Sequence, residues 1–574
     1  LFFVLLVIGV FAEKTPDAVF HKIVKEYTIH EDGSYDFRYY KELELNTLFA
    51  FNRLYGETFV VYNPEYQDLK INSSYTIMKS GKKITTPQNA FNLVLPRQAK
   101  DFPAYNHLRE MVITHTGIEP GATIYLDYTV STKKGFVDNF SFTDNIKKNS
   151  PIKNMEIIIK TPKGYGLNYK MLNLRTAPEI KESKKGVEYR WLFKSITPTP
   201  YEGAVDHKSE PLLLVQKNKE LSAAIKGELS IADYSYKLPK TLCKKVTEIT
   251  KEAKNDINKV LDIQSFVISE IDNSHLSQQY IGKELRSIQN IYASNIATNT
   301  EKAFLCAAMI REAGIYAEPI LVYPKQGLPI LKAGQILVRV EIKDYKPLYI
   351  NPTHKNSQNL LYSLSDVNVV SLSKGKLVSD KLPASSEIKF SGKIEVGKNI
   401  LGEVSLKLSG NANPYLKLAE SEKAAKSLVK NMAGHINTSK IESLSMDVTK
   451  ISYDLKNDDY TFNTEGDLKT FLLPTVAGGI ITSTTPLLLN KDINESYNLK
   501  IDVAGVKCIN IDINKKQSFD IGTVSVKVVN KGNHVTVKKS LKINKRVIRP
   551  ADYNDFKILM NIWFDKDYEK LYLK

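Results

Sequence analysis

The pattern of hydrophobic and polar positions divides the chain into three parts. In the first, from about residue 22 to 237, short alternating runs are separated by turns rich in Gly, Pro and Lys. Tyr35–Leu45 follows the turn Glu31–Gly33, and Ala122–Val130, Asn154–Ile159 and Gly186–Leu192 show further strand patterns. Many short strands at this spacing favour a β-sandwich.

In the second part, from about residue 238 to 366, apolar residues recur at helical spacing. Cys243–Ile271 predicts one or two helices, and Thr298–Gly314 predicts a further one. The latter is apolar on almost every side from Ala303 to Ile310, which is typical of a buried helix. Its polar start suits a helix N-terminus, and Gly314 suits a left-handed C-cap.

A hairpin is predicted directly after this helix. In Gln335–Ile342 the even-numbered residues are Ile or Val, so they share one face of a strand, while the odd-numbered residues point the other way. A second short strand, Leu348–Asn351, ends at Pro352.

Strands return in the third part, from about residue 367. The predicted strands are Glu387–Val396, Gly402–Leu408, Ser443–Tyr453, Tyr497–Val503, Thr523–Val529 and His534–Ile543. Tyr415–Met432 has strong helical propensity. The tail Ala551–Leu573 is amphipathic, with Phe556 and Trp563 on its apolar face. We expect this tail to pack on the last sheet, and a helix on a membrane surface is the alternative.

Composition indicates an ordinary globular protein of about three domains, because 42% of its 574 residues are hydrophobic and 25% are charged. Three separated cysteines, Cys243, Cys306 and Cys508, do not form a disulfide framework. The net charge of +17 comes from scattered lysines that are not interleaved with aromatic residues. We therefore expect a solvated basic surface and no nucleic-acid partner, with weak attraction to acidic glycans or membranes as the alternative.

The first residues, Leu1–Ala12, form a short apolar run that is typical of the core of a secretory signal. Because the chain begins with Leu, we expect this signal peptide to be truncated, and a core strand is the alternative interpretation. The run is shorter than the roughly 20 residues that span a bilayer, and no other stretch reaches that length. The sequence therefore predicts an exported protein, periplasmic or on the cell surface, without a transmembrane segment.

Two segments of the first part, TPQNAFNLVLP and AYNHLREMVITHTGIEPGATIYLDYT, carry a family resemblance. They resemble an amino-terminal domain of unknown function, DUF3857-like, which often precedes transglutaminase-like domains in exported bacterial proteins. The resemblance covers most of residues 20–200.

The buried helix and its hairpin, EKAFLCAAMIREAG followed by the NPT turn, resemble the transglutaminase-like (papain-like) fold. The resemblance implies a catalytic Cys at the helix start, a His at the start of the next strand and an Asp in the turn. These places fall at Asn299, Gln335 and Asn351. An amide cannot form an acyl intermediate or accept a proton near neutral pH, so we expect a degenerate site without catalytic residues.

Other candidate catalytic groups, near this site or elsewhere in the chain, have weaker support. Cys306 could act as the nucleophile of a thiol-dependent acyltransferase or peptidase, but the apolar middle of a helix raises a thiol pKa, which favours a buried structural Cys. His354 follows the turn and has no nucleophile to activate. His107 with Glu110 could form a different hydrolytic site.

His107 and His115 raise the question of a metal site in the first part. As strand residues they would stand about 26 Å apart, and no third ligand is present nearby. We therefore expect structural histidines, no metal and no cofactor. Asn89 and Asn106, in apparent loops, could contact a ligand.

The sequence predicts an α+β multidomain protein: a truncated signal peptide (1–12), a β-sandwich domain (13–237), a papain/transglutaminase-like α+β domain (238–366) and a β-rich carboxyl-terminal domain with a terminal helix (367–574). We expect a noncatalytic binding or scaffold protein that recognises peptide, protein or glycan at the bacterial cell envelope. A thiol-dependent enzyme of the same superfamily is the alternative.

Overall fold

The fold is that of a computed structural model, which describes residues 15–100, 102–199, 210–217, 220–230, 234–380, 386–397, 400–420, 424, 427–428, 436–457, 465–467, 487–489, 493–505, 507–565, 568 and 570–572. The apolar run Leu1–Ala12 and most of the helix predicted beyond residue 420 lie outside these residues. Across the described ranges, no helix has the length and apolar character needed to cross a membrane.

The first part of the chain is built from strands, as its alternating pattern predicts. They are β1 (Ala18–Ile29), β2 (Tyr35–Leu45), β3 (Glu57–Tyr62), β4 (Gln67–Ile77), β5 (Lys83–Thr85), β6 (Phe91–Val94), β7 (Arg109–Thr114), β8 (Thr123–Thr132), β9 (Ser141–Asn145), β10 (Ile152–Thr161), β11 (Asn168–Leu172), β12 (Glu179–Glu182), β13 (Val187–Ile196) and β14 (Leu212–Gln216). A single helical turn, α1 (Arg53–Gly56), lies before β3.

These strands form one large sheet that is covered on one face by two small ones. The large sheet has the order β12-β13-β10-β1-β2-β8-β4-β5, in which β1 pairs with β10 in parallel. The three-stranded sheets β11-β14-β9 and β3-β7-β6 both pack on the face that carries Ile23, Trp191 and Tyr128. The opposite face carries ion pairs such as Arg38–Asp127. The arrangement is a two-layered β-structure, consistent with the predicted sandwich.

Helices lie in the middle part, which also contains short strands. Its elements are α2 (Leu221–Glu228), α3 (Lys240–Thr250), α4 (Asp256–Glu270), β15 (Asp272–Asn273), α5 (Gln278–Ile281), α6 (Ile288–Ser294), β16 (Ile296–Ala297), α7 (Asn299–Glu312), β17 (Tyr316–Pro324), β18 (Gln335–Glu341), β19 (Leu348–Ile350), β20 (Val367–Ser371) and β21 (Lys376–Leu377). The segment Cys243–Ile271 thus contains two helices, whose break lies at Lys251–Asn255.

The last five strands form one antiparallel sheet with the order β19-β18-β17-β20-β21. One face, carrying Val338 and Val340, packs on α7 together with α3 and α4. The sheet continues beyond residue 366, where the sequence predicted a domain boundary, because Val367–Ser371 pairs with β17. The composition change near residue 366 therefore marks a turn inside this sheet.

The third part is again rich in strands. Its elements are β22 (Glu387–Val396), β23 (Ile400–Ser409), α8 (Tyr415–Glu420), β24 (Ile436–Leu444), β25 (Val448–Asn457), β26 (Glu465–Asp467), β27 (Leu487–Leu488), β28 (Asn494–Val503), β29 (Ile513–Phe519), β30 (Gly522–Lys531), β31 (His534–Ile543), β32 (Val547–Ile548), α9 (Tyr553–Trp563) and β33 (Lys570–Tyr572). Eight of these strands form a sheet with the order β24-β25-β23-β22-β28-β31-β30-β29.

Two predictions for the third part were wrong in detail. Ser443–Tyr453 is not one strand, because the chain turns at Ser445–Asp447 between β24 and β25. Met446 lies in that turn and is buried against the helices of the middle part. Because it is apolar, it fits the alternating pattern of a strand although it does not belong to one. The tail helix ends at Trp563 and not at Leu573, because Leu571 belongs to β33, which pairs with β26.

The apolar face of α9 settles the alternative that was open for the tail. Phe556, Leu559, Met560 and Trp563 are all buried in the cluster that covers the eight-stranded sheet. The Trp563 ring lies 5.4 Å from the ring of Tyr497 on β28. This face is therefore occupied by the sheet, and the helix does not offer it to a membrane.

Candidate functional site

Helix α7 is the buried centre of the middle part. Every residue from Thr300 to Ile310 is buried, because α3 and α4 pack on one side of the helix and the five-stranded sheet on the other. The helix ends as its sequence predicted: Gly314 has a φ of +83°, and its N–H donates to the Arg311 carbonyl at 2.9 Å. Only its first residue, Asn299, is exposed within the first two turns.

The start of α7 is fixed by one carboxylate, that of Glu301, which is 1% exposed. Its oxygens accept hydrogen bonds from the Thr298 N–H (2.9 Å), from Arg286 Nε (2.8 Å) and Nη2 (2.9 Å), and from the Tyr105 hydroxyl (3.1 Å). Thr298 Oγ1 in turn accepts from the Glu301 N–H, which completes a capping box. Tyr105 belongs to the first part of the chain, so this carboxylate also joins the first part to the helix.

Gln335 occupies the first position of β18 and is exposed. It pairs with Val322, whose side chain belongs to a cluster with Leu337 and Tyr349 on the face that does not contact α7. Because side chains alternate along a strand, the Gln335 side chain leaves the sheet on that same face. Asn299 starts the helix that covers the other face.

Asn351 is buried, and its side chain forms hydrogen bonds within its own turn. Its Oδ1 accepts from both the N–H and the hydroxyl of Thr353 at 2.8 Å, and its Nδ2 lies 3.4 Å from His354 Nε2. Its backbone carbonyl accepts from Gln264 Nε2 at 2.7 Å, and its N–H donates to Asn356 Oδ1 at 3.2 Å. The side chain therefore shapes the NPT turn and orients His354.

The three amide positions lie at one end of the sheet but do not form a hydrogen-bonded triad. The register continues from Val338↔Ile350, so Asn351 stands opposite Leu337 and is a diagonal neighbour of Gln335. Among the described residues, no hydrogen bond joins Asn299, Gln335 and Asn351 to one another. Such an arrangement can donate and accept hydrogen bonds, but it contains no group that titrates near neutral pH.

Neither Cys306 nor Cys243, the two cysteines of the middle part, supplies a substitute nucleophile. Cys306 is 0% exposed, and burial raises the pKa of its thiol to about 12. Cys243 on α3 is partly exposed, and burial also raises its thiol pKa. Since the thiolate is the reactive form, neither sulfur is activated.

Among the described residues, no hydrogen bond joins His107, Glu110 and His115 to one another. Glu110 is buried on β7, where burial raises its pKa, and no described hydrogen bond joins it to His107. His115 Nε2 forms a hydrogen bond of 2.9 Å with Thr58 Oγ1, and burial lowers the pKa of His115 to about 3. The described part of the chain holds no group of three or more His, Cys, Asp or Glu side chains placed to bind a metal ion.

A cavity of about 460 Å³ opens at the other end of β18, beside Arg339, Glu341 and Tyr345. The Arg339 guanidinium is held in place there by two carboxylates. Its Nε and Nη2 donate to the two oxygens of Asp380, and its Nη1 donates to Glu341 at 2.6 Å. Arg339, the β18 cavity residue nearest to Gln335, lies four positions along the strand from it, a distance of about 13 Å at strand rise. The cavity therefore does not lie at the amide positions.

Two protein-family models match separate parts of the chain. Residues 31–200 match a domain of unknown function with a solved structure, DUF3857, which confirms the resemblance of the first part. Residues 477–573 match a second such domain, DUF3858, which was not predicted from the sequence. None of the curated proteins matches the chain.

The chain is also similar along its length to a solved structure. A putative protease from Parabacteroides distasonis superposes with a TM-score of 0.64 at 25% sequence identity. The match covers 97% of this chain and 99% of that one. The two proteins therefore share the arrangement of all three parts.

Proposed function

We propose that this protein is an exported, noncatalytic peptide-binding protein built on a degenerate transglutaminase-like domain. The observation that carries the proposal is the identity of Asn299, Gln335 and Asn351, the three positions at which that family holds Cys, His and Asp. Their surroundings have the order that the family requires: a buried helix, an antiparallel hairpin and a polar turn.

Peptide is the favoured ligand class because the similar protein from Parabacteroides distasonis is described as a putative protease. A scaffold that binds peptides for cleavage keeps its binding surface when the catalytic groups are replaced. Asn299 is exposed at the start of α7, at the positive end of the helix dipole. Its side-chain amide can donate a hydrogen bond to a peptide carbonyl without reacting with it.

The same similarity favours an alternative, a thiol-dependent acyltransferase or peptidase. That enzyme would need a reactive sulfur, and the buried Cys306 with its raised pKa argues against one. Labelling with iodoacetamide under native conditions distinguishes the thiol-dependent enzyme from the noncatalytic protein. Rapid modification of Cys306 would establish the enzyme, whereas modification only after unfolding supports the noncatalytic protein.

The main experiment measures peptide cleavage, peptide crosslinking and peptide binding by the full chain. We expect binding without product, and we expect Asn299→Trp to weaken binding about tenfold because the bulky ring covers the helix start. Asn290→Trp, at an exposed position of the preceding helix α6, is the matched control and should bind normally. Product formation that is lost in Asn299→Ala but kept in Asn290→Ala would overturn the proposal.

The apolar run Leu1–Ala12 supports export to the periplasm or the cell surface. We expect the protein in the periplasmic or surface fraction of a bacterial host, with a mature amino terminus after Ala12. Recovery of unprocessed protein from the cytoplasm alone would refute this part of the proposal.

A further inference from the structure

Four large apolar side chains are exposed on one short loop in the first part of the chain. Residues 48–54, the apolar loop, connect β2 to β3 and include the start of α1. Leu48, Phe49 and Leu54 are 70%, 79% and 58% exposed, and Phe51 is 36% exposed. Single exposed apolar residues are common on protein surfaces, but a group of them on one loop marks an interaction site.

The apolar loop is held in place by hydrogen bonds and by a buried residue directly after it. Tyr55 is buried, and its hydroxyl lies 2.7 Å from Ser150 Oγ. Asn52 joins the two halves of the loop, because its Nδ2 donates to the Phe49 carbonyl at 2.7 Å and its Oδ1 accepts from the Leu54 N–H at 2.8 Å. The exposed side chains therefore stand on a fixed framework, so their insertion into another phase costs little conformational entropy.

Exposed lysines flank the apolar loop on one side. Ile77, the last residue of β4, and Glu44 of β2 both pair with Thr123, so the hairpin after β4 lies at the same end of the sheet as the loop. The hairpin carries exposed lysines that form no ion pair with a described carboxylate, namely Lys79, Lys82 and Lys83.

Contacts through the start of β8 link this hairpin to the loop. The Lys79 side chain lies against Gly121, whose N–H donates to the Leu45 carbonyl at 2.6 Å. Leu45 is the last residue of β2 and precedes Leu48 by three positions, which places their Cα atoms within about 11 Å of each other. The hairpin lysines therefore lie beside the apolar loop.

Further lysines flank the loop on its other side, near the start of β10. Ser150, which bonds to Tyr55, stands between Lys147 and Lys153 in the chain. Lys153 is exposed and its Nζ lies 3.1 Å from His21 Nδ1, while Lys147 is half-buried. Neither lysine forms an ion pair with a described carboxylate. Basic side chains thus lie on both sides of the apolar loop.

The carboxylates around the loop balance only part of this positive charge. Glu57 forms an ion pair with Arg53 at 3.2 Å, so these two charges cancel. Three further carboxylates are bonded to residues beside the loop or its lysines, namely Asp17, Glu44 and Glu119. Five lysines stand against these three carboxylates, so the surface around the apolar loop is positively charged.

We infer that the apolar loop docks the protein on a membrane surface that contains anionic lipids. Leu and Phe side chains enter the boundary between headgroups and acyl chains, and lysines around them attract anionic headgroups. A purely apolar protein surface would cover the loop but leave those lysines without counter-charges. Docking of this kind is peripheral, and it does not depend on the peptide-binding function.

Cosedimentation with lipid vesicles measures this docking on the full chain. Vesicles of phosphatidylcholine alone are compared with vesicles of an equal mixture of phosphatidylcholine and anionic phosphatidylglycerol. We expect the mixed vesicles to bind at least about tenfold more tightly at low salt, and this preference to shrink at high salt because the lysines act through their charge. Residues 1–12 are present in the wild type and in every variant, so they do not account for differences between them.

Variants assign the binding to the loop and its lysines. Phe49→Ser and Leu54→Ser should each weaken binding to the mixed vesicles about tenfold, because each removes an apolar side chain from the lipid. Leu377→Ser on β21 is the matched control, since Leu377 is 58% exposed, as Leu54 is. Lys82→Gln should weaken binding about fivefold, whereas Lys163→Gln, at an exposed turn, should bind like the wild type.

The outcomes separate this inference from the proposed function. No binding to the mixed vesicles, equal binding to both compositions, or equal affinity of Phe49→Ser and Leu377→Ser overturns the membrane site. A dimer that forms without lipid and dissociates in Phe49→Ser would assign the loop to a contact between two copies of the chain, and it also overturns the inference. Phe49→Ser should bind peptide like the wild type, so either proposal can fail while the other stands.

Discussion

Replacement of Glu301 by Gln tests how the start of α7 is held. The substitution keeps the size of the side chain but removes its charge. It also replaces one carboxylate oxygen by an NH₂ group, which is itself a donor and cannot accept from Arg286 or from the Thr298 N–H. Arg286, whose side chain is 18% exposed, would lose its only ion-pair partner among the described residues. Breaking a buried ion pair on one side costs about 3–5 kcal/mol.

Gln keeps one oxygen that can still accept from the Thr298 N–H, so we expect the first turns of α7 to lose about 3–5 kcal/mol of stability, from the ion pair alone. Tyr105→Phe removes one hydrogen bond to the same carboxylate and should cost about 1.5–3 kcal/mol. The difference between the variants is the contribution of Arg286.

Hydrogen exchange followed by mass spectrometry measures this locally, in the peptide that covers Thr298–Gly314. A loss of about 4 kcal/mol corresponds to exchange about a thousand times faster. Glu312→Gln, at the exposed end of the same helix, is the control and should exchange like wild type. If Glu301→Gln exchanges within threefold of wild type, or no faster than Tyr105→Phe, the ion pair does not hold the helix start.

Three further predictions concern titration and reactivity. Burial lowers the pKa of His115 to about 3 in the folded protein, whereas it is near 6.5 in the unfolded chain. The free energy of unfolding should therefore fall by about 4 kcal/mol as the pH drops from 6.5 to 3. Urea unfolding of His115→Gln should lack this pH dependence. The charge of Lys25, together with burial, lowers the pKa of Lys148 to about 8, so the protonated Lys148 destabilises the fold below that pH. Lys148→Met removes this charge and should be more stable than wild type in urea unfolding at pH 8, by an amount that shrinks by about 3 kcal/mol as the pH rises to 10.5. A difference that stays constant would refute the charge repulsion. Mass spectrometry after native iodoacetamide treatment should show Cys243 modified well before Cys306, since only Cys243 is partly exposed, and the reverse order would contradict the burial of α7.

Local pattern was sufficient for much of the secondary structure. Tyr35–Leu45, Glu387–Val396 and His534–Ile543 were predicted with the bounds that the structure has, because alternation and turn residues act within a few positions. The buried helix was predicted for the same reason, since Ala303–Ile310 is apolar on every side. Met446 shows the limit of this reasoning, because an apolar residue in a turn can pack on a distant element.

Contacts between distant residues could not be predicted from local pattern. Tyr105 meets Glu301 only because the first part of the chain packs against the start of α7, and Arg286 reaches it from the segment before α6. The three amide positions were identified from a family resemblance, but the commitment of Asn351 to its own turn required the structure. Lys25 and Asp144 are far apart in sequence, and scattered lysines carry no signal that one of them pairs with this aspartate.

The parallel pairing of β1 with β10 also sets the order in which the chain can fold. Phe20 pairs with Ile152, so the first strand has no partner on that side until the ribosome has made the residues up to about 161. At roughly 5–20 residues per second, this delay is on the order of 10 s. Closing so long a loop is slow, so the large sheet forms late. A nascent chain that stays unfolded for this time remains able to thread through a translocation channel, which suits the export that we propose.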